Sequence, residues 1–371
     1  MSVKQTASSA LAGVGLLWVA RAARGVPGSI GATPADIRPY AAGSPRYRNG
    51  RFHNSEPSST VLPEAGGSLV KDMLTRRSSG TPRDAVPLAP QLAPVQAAEL
   101  AVTWYGHSSV LLEIDGHRIL ADPVWSERVS PSPAVGPARL HPSPVELAEL
   151  PPIDAVVISH DHYDHLDRET VEALAATQRE ARFLVPLGVG AHLRRWRIPA
   201  DRIVELDWDQ HTEVGALTVT CTEARHFSGR GLIRNITLWS SWVIAGPTRT
   251  AFFGGDSGYT PRFAGIGDRY GPFDLTLLPV GAYDPRWPDV HMNPEEAVRT
   301  HLDLGGGDHP GLLVPVHWGT FNLAFHAWSE PIARLLPAAR EEGVPTAVPM
   351  PGQRVDALRP GSQDPWWVPL G

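Results

Sequence analysis

A single cysteine, Cys221, stands among 371 residues, which excludes an intrachain disulfide and any cysteine-rich zinc module. Basic residues are too few for a charged groove: 33 Lys and Arg face 39 Asp and Glu, and the formal net charge of -6 argues against a nucleic-acid partner. Long apolar runs are also lacking. The best of them, Ala10 to Ala20, falls short of the ~20 apolar residues that span a bilayer. It reads three ways: a frayed terminus, a helix touching a membrane surface, or a secretory signal with Lys4 as its charged region and Ala20-Arg21-Ala22 as its cleavage site. The expected location is therefore cytoplasmic or peripheral at the membrane, with export through this segment as the alternative. No oligomeric state follows from the sequence.

What is plentiful is proline and glycine, 37 and 35 residues, with many of the prolines before residue 100 or after residue 343. Residues 1–97 read as the apolar segment and an extended Pro/Gly/Ser/Arg-rich arm, 98–345 as an ordered α/β domain, and 346–371 as a tail. Order starts with alternating runs at 101–105 and 109–114, and Asp115-Gly116 predicts a hairpin into 117–121. Asp122-Pro123 then offers a carboxylate that either supports an imidazole from behind or simply starts a turn. The Pro-rich stretch 126–144 reads as a lid or rim.

The densest chemistry follows the apolar run Ala155 to Ile158. In Ser159-His160-Asp161-His162-Tyr163-Asp164-His165-Leu166-Asp167, three imidazoles and three carboxylates crowd one short segment, before a helix that Asp167 is placed to cap. Without cysteine, this mixture suits zinc, manganese or iron. The pattern of an apolar strand ending in a donor occurs four times, at His160, His226, Asp256 and His317. Donors at the carboxyl ends of strands collect along one edge of a sheet. His160, His162, Asp164, His165, His226, Asp256 and His317 are too many for one tetrahedral zinc and suit two metals that share a carboxylate and a water.

His160-Asp161-His162-Tyr163-Asp164-His165, followed by His226, Asp256 and His317 in that order, resembles the metallo-β-lactamase superfamily. The resemblance implies an αββα sandwich, two mixed sheets flanked by helices. It implies two Zn2+ ions, with Mn2+ or Fe as alternatives: the first on His160, His162 and His226, the second on Asp164, His165 and His317, with Asp256 bridging. Asp164 and Asp256 then count among the catalytic residues. The reaction so implied is hydrolysis by a metal-bridging hydroxide.

Other segments resemble the N-acylphosphatidylethanolamine-hydrolysing phospholipase D group: Thr103-Trp104-Tyr105-Gly106-His107, Leu150 to Val156, Gly281 to Trp287, Asn293 to Val298 and His317 to Phe321. The likeness covers roughly residues 100–330 and implies attack on phosphorus in a phospholipid or other phosphodiester, with release of an N-acylethanolamine and phosphatidic acid. It also implies that His291 lies near the scissile phosphate and positions substrate or transfers a proton. Asn293-Pro294-Glu295-Glu296 reads as a helix start, whose positive end would disfavour a charged His291. Two other readings stand beside this one: a hydrolase of a soluble phosphodiester or lactone, and a non-catalytic, membrane-associated metal-binding protein. Of the twelve tryptophans, Trp125, Trp242, Trp287 and Trp318 lie near the predicted site loops, where core packing and a lipid groove compete as roles.

Overall fold

The computed structural model describes residues 21–60, 79–305, 311–361 and 364–371, so the apolar run Ala10 to Ala20 lies outside the described residues. The arm opens with the short helix Val26–Ile30 and the helix Pro34–Ala41, and then a small antiparallel pair, β1 (Tyr47–Arg48) and β2 (Arg51–Phe52). These elements stand where the composition predicts only an extended arm. Pro39 inside the second helix hides its periodicity, whereas Thr33 and Asp36 form the reciprocal capping box that starts it.

The first large sheet contains β3 (Leu100–Gly106), β4 (Ser109–Ile114), β5 (His117–Ala121), β6 (Ala155–Val157), β7 (Arg182–Pro186) and β8 (Ile203–Leu206). The second contains β9 (His211–Val214), β10 (Leu217–Thr222), β11 (Ser241–Ala245), β12 (Thr250–Phe253), β13 (Leu275–Pro279) and β14 (Leu312–Val316). A last strand, β15 (Arg354–Asp356), joins the first sheet, giving the orders β15-β3-β4-β5-β6-β7-β8 and β14-β13-β12-β11-β10-β9. Both sheets are mixed. The first runs antiparallel from β15 to β5 and parallel from there on; the second is antiparallel from β9 to β12 and parallel over β12, β13 and β14.

Strand alternation splits the interior into two cores. From β4 to β7, Val110, Leu112, Ile114, Ile119, Ala121, Val157 and Leu184 join the core shared with the second sheet. Their neighbours Leu111, Leu120, Val156, Phe183 and Val185 pack instead with Val171, Leu174 and Leu193 of the helices Arg168–Thr177 and Val189–Arg195. Helices Arg262–Tyr270, Pro294–Gly305 and Glu330–Glu341 flank the second sheet through Phe263, Val298 and Leu335, which completes an αββα sandwich. Since both faces of each sheet are covered, the strands read as apolar runs.

Residues on both sides of the 98–345 stretch pack into this body. Beyond it, β15 forms an edge strand on β3, and Trp366 packs 6.5 Å from Trp104 and 5.4 Å from Trp318, ring centre to ring centre. Asp167 precedes its helix as expected, but its carboxylate does not cap it. It accepts instead from the Thr170 hydroxyl and from the backbone N–H groups of Trp125 and Ser126.

Candidate metal centre

Strands β3, β5 and β6 of one sheet, and β10, β12, β13 and β14 of the other, end at a common edge of the sandwich. There the chain turns through left-handed backbone at His107 (φ 52°), Asp122 (φ 39°), Ala282 (φ 58°) and His317 (φ 61°). Such conformations are costly for residues with a Cβ and persist only where the surroundings enforce them. Gly255, at φ 58°, has a different reason: a Cβ there would lie 2.5 Å from that of Ser159 and 2.8 Å from the Ser240 carbonyl oxygen. Glycine lets the segment bearing Asp256 lie directly against the segment bearing His160.

The seven donors named from the sequence are brought together. Nε2 of His160 lies 2.7 Å from Nδ1 of His162, which is 3.4 Å from Nε2 of His226. On the other side, Oδ2 of Asp164 is 3.5 Å from Nε2 of His165 and 3.4 Å from Nε2 of His317. Oδ2 of Asp256 stands between the two groups: 3.1 Å from His165 and His317, 3.7 Å from His226 and 3.9 Å from His160. His291 joins from the loop after β13, its Nδ1 3.9 Å from the same oxygen.

Three of the rings are aimed from behind. Asp122 accepts from the Ser159 backbone N–H and hydroxyl and lies 2.6 Å from Nδ1 of His165, while the Ser159 hydroxyl lies 2.9 Å from Nδ1 of His160. The Val290 carbonyl, 2.8 Å away, occupies Nδ1 of His226. Thus His160, His165 and His226 all present Nε2 to the centre. Of the two readings of Asp122, the supporting carboxylate matches its position.

Two histidines need comment. His107 is buried with Nε2 3.0 Å from Oδ2 of Asp164. His291 lies before the helix start as predicted, with Asn293 and Glu296 exchanging side-chain and backbone bonds at 2.9 Å. Its pKa falls to about 4, chiefly because the ring is buried.

Burial lowers the pKa values of His107, His160, His162 and His226, helped at His107 and His160 by neighbouring imidazoles. Burial opposes the ionisation of Asp164 and Asp256, yet His165 and the surrounding histidines hold both carboxyls well below the usual range. Ionised carboxylates suit a cation as they stand, whereas His165 and His317, whose pKa values these carboxylates raise, would give up a proton on binding one. The donor set also leaves Nε2 of His165, Nε2 of His317 and Oδ1 of Asp256 buried without a hydrogen-bond partner. Buried polar atoms left unpaired are costly unless something else satisfies them, so the residues present fit divalent cations.

A cavity of about 240 Å³ opens over these donors, walled by Thr60, Phe227, Trp287, Val290 and Leu323 together with the site residues. Of the four tryptophans singled out, Trp287 lines it, whereas Trp242 and Trp318 are buried in the core. Loop 126–144 contributes nothing to this lining among the described residues; Arg139 instead pins it to the Val124 and Tyr105 carbonyls. The part missed in the sequence is the support behind the motif. Asp161 takes bonds from the Gly229 N–H and the Thr237 hydroxyl, and Arg230 holds the Asp161 and Leu166 carbonyls at 2.9 and 2.6 Å. The aspartate's place inside the motif was the one signal of that role. Asn54, described below, gave none.

A model of the beta-lactamase superfamily domain matches residues 117–318. An uncharacterized protein of Mycobacterium tuberculosis is 59% identical over 353 residues, 94% of either chain. N-acyl-phosphatidylethanolamine-hydrolyzing phospholipase D 1 of Caenorhabditis elegans is 39% identical over 233 residues, 60% of this chain and 64% of its own. The mitochondrial N-acyl-phosphatidylethanolamine-hydrolyzing phospholipase D of Saccharomyces cerevisiae is 33% identical over 243 residues, 63% of this chain and 50% of its own. Among solved structures, an isothiocyanate hydrolase from Delia radicum gut bacteria superposes with a TM-score of 0.54 at 20% identity, over 69% of this chain and 98% of that one. A metallo hydrolase of Ignicoccus hospitalis gives 0.52 at 22% identity, over 69% and 97%. At these identities the two structures speak for the fold alone.

Proposed function

The chain belongs to the metallo-β-lactamase superfamily as a metal-dependent hydrolase, and from that premise we propose a dinuclear-zinc phosphodiesterase of phospholipase D type acting on N-acylphosphatidylethanolamine or a related glycerophospholipid. The observation that carries the dinuclear part is the position of Asp256 Oδ2 between two donor groups, with its Oδ1 unpartnered. His160, His162 and His226 would hold one ion; Asp164, His165 and His317 the other. Bound there, two divalent cations would supply a nucleophile from water near neutral pH and offset charge on the phosphoryl oxygens.

The chain's own residues supply the rest. Asp122, Ser159 and the Val290 carbonyl hold three imidazoles in a fixed tautomer, so no ring must turn during reaction. His291 has a buried, unpartnered Nδ1 and shares the cavity wall with Asp256 and His317. It is placed to hold the phosphoryl group or to pass a proton to the oxygen that leaves when the bond to phosphorus breaks. Phe227, Trp287, Val290 and Leu323 give the cavity an apolar flank, which favours a lipid over a soluble diester or lactone.

The test is an assay of zinc-loaded protein on N-acylphosphatidylethanolamine vesicles, with phosphatidic acid and N-acylethanolamine as the expected products. Turnover of soluble diesters or lactones without release of phosphatidic acid would overturn the substrate. Metal content well below two ions per active chain would overturn the dinuclear centre. Among the described residues no helix is long and apolar enough to cross a membrane, so access to such a lipid is proposed as peripheral contact.

A further inference from the structure

We propose that Asn54, on the N-terminal arm, is a positioning residue for His226, which makes the arm a built part of the metal centre. The need arises in the second sheet. The ladder between β10 and β11 stops at Thr222 and Ser241, so the chain leaves its strand partner before it reaches His226. Asn54 supplies the missing neighbour. Its Nδ2 donates to the His226 carbonyl at 2.8 Å, and its Oδ1 accepts from the His226 N–H at 3.1 Å. The indole N–H of Trp239, shared between Oδ1 at 3.0 Å and the Ala224 carbonyl at 2.9 Å, agrees with the His226 N–H in making that atom the oxygen. One side chain thus satisfies both polar backbone groups of His226, and the Val290 carbonyl separately orients its ring.

The arm is anchored on both sides of this grip. Phe52 N–H donates to the Asn235 carbonyl at 2.7 Å, the Thr260 hydroxyl to Glu56 at 2.7 Å, and Arg225 to the Pro57 carbonyl at 2.6 Å. Asp289 ties the arm to the loop that carries His291, accepting from Ser59 N–H at 2.8 Å while paired to Arg225 at 2.7 Å. Thr60 then reaches the wall of the cavity that His162 and Asp164 also line. This segment lies outside the matched residues 117–318, so the centre depends on chain that the family domain does not include.

The inference rests on the reading of His226 as a zinc donor. Its test uses zinc alone, without lipid: stepwise zinc affinity by chelator competition, and the melting temperature of the metal-free chain. In Asn54→Ala, one of the two zinc affinities should fall roughly 10–100-fold, the range seen when a group supporting a metal ligand is removed, while the other stays. Asn54→Asp keeps the shape and the acceptor but sets an anion against the His226 carbonyl, so it should show the same one-site loss with a nearly unchanged metal-free melting temperature. Unchanged zinc affinities in both variants would overturn the proposal, as would equal loss at both sites in step with a lower metal-free melting temperature. A wild-type chain that takes up no zinc would instead overturn the metal-centre reading itself.

Discussion

Oδ2 of Asp122 lies 2.6 Å from Nδ1 of His165, and neither side chain is exposed to solvent. Burial alone would lower the pKa of this imidazole, but the carboxylates of Asp256, Asp164 and Asp122 outweigh it and hold the value well above the ordinary one. Because Asp122 also holds Ser159, which touches His160, one carboxylate orients rings on both sides of the centre. Asp122→Asn keeps the shape and loses the charge. Zinc affinity should fall roughly 10–100-fold with the fold intact, read by chelator competition and circular dichroism. Wild-type affinity would show that His165 needs no such support.

Asp256→Ala removes an oxygen that lies near both donor groups. Zinc should then bind in two independent steps, and turnover should drop by at least roughly 100-fold, as expected when an electrostatic element of a reaction centre is lost. Isothermal titration together with a phosphatidic-acid assay checks both halves. Unchanged turnover would be fatal to the bridging role.

His291→Ala separates two roles for a ring whose Nδ1 lies 3.9 Å from Asp256. A substrate-facing histidine predicts a loss of roughly 100-fold in kcat, within the usual range for general acid–base groups, at wild-type zinc content. Zinc lost in proportion to activity would move His291 into the donor set.

Gly281 is a packing site. A Cβ there would lie 2.2 Å from the His317 carbonyl oxygen, a backbone atom that cannot swing aside. Gly281→Ala should therefore displace His317, lower both zinc content and turnover, and lower the melting temperature. Full zinc occupancy and activity in this variant would mean that the backbone after β13 gives way more easily than its packing implies.

Arg230→Met tests the support of the donor loop. The guanidinium is nearly fully buried, holds the Asp161, Leu166 and Ser29 carbonyls and lies 4.1 Å over the Tyr163 ring. Leaving these acceptors unpaired should cost about 3 kcal/mol of stability, measured by urea unfolding of the metal-free chain. A change below about 0.5 kcal/mol, the usual range for surface substitutions, would show the loop to be held elsewhere.

The strands and the candidate donors were legible because both follow from local chemistry. Short apolar runs bounded by turn residues specify buried strands, a crowded set of imidazoles and carboxylates is costly without cations, and Asn293-Pro294-Glu295-Glu296 carries its own helix start. The helices Pro34–Ala41 and Glu330–Glu341 escaped notice, since an interior proline in each interrupts the pattern on which periodicity depends.

Residue types and their order along the chain were thus the sequence's own contribution: which side chains can bind a metal, and that each follows a strand. Tertiary structure decided which nitrogen each ring presents, because that depends on partners far away in the chain, Asp122 for His165 and Val290 for His226. It also decided that His291 is buried, which lowers its pKa, and that Asn54 meets His226 from 172 positions away. No local pattern encodes such contacts; they exist only once two sheets and an arm have packed along one edge.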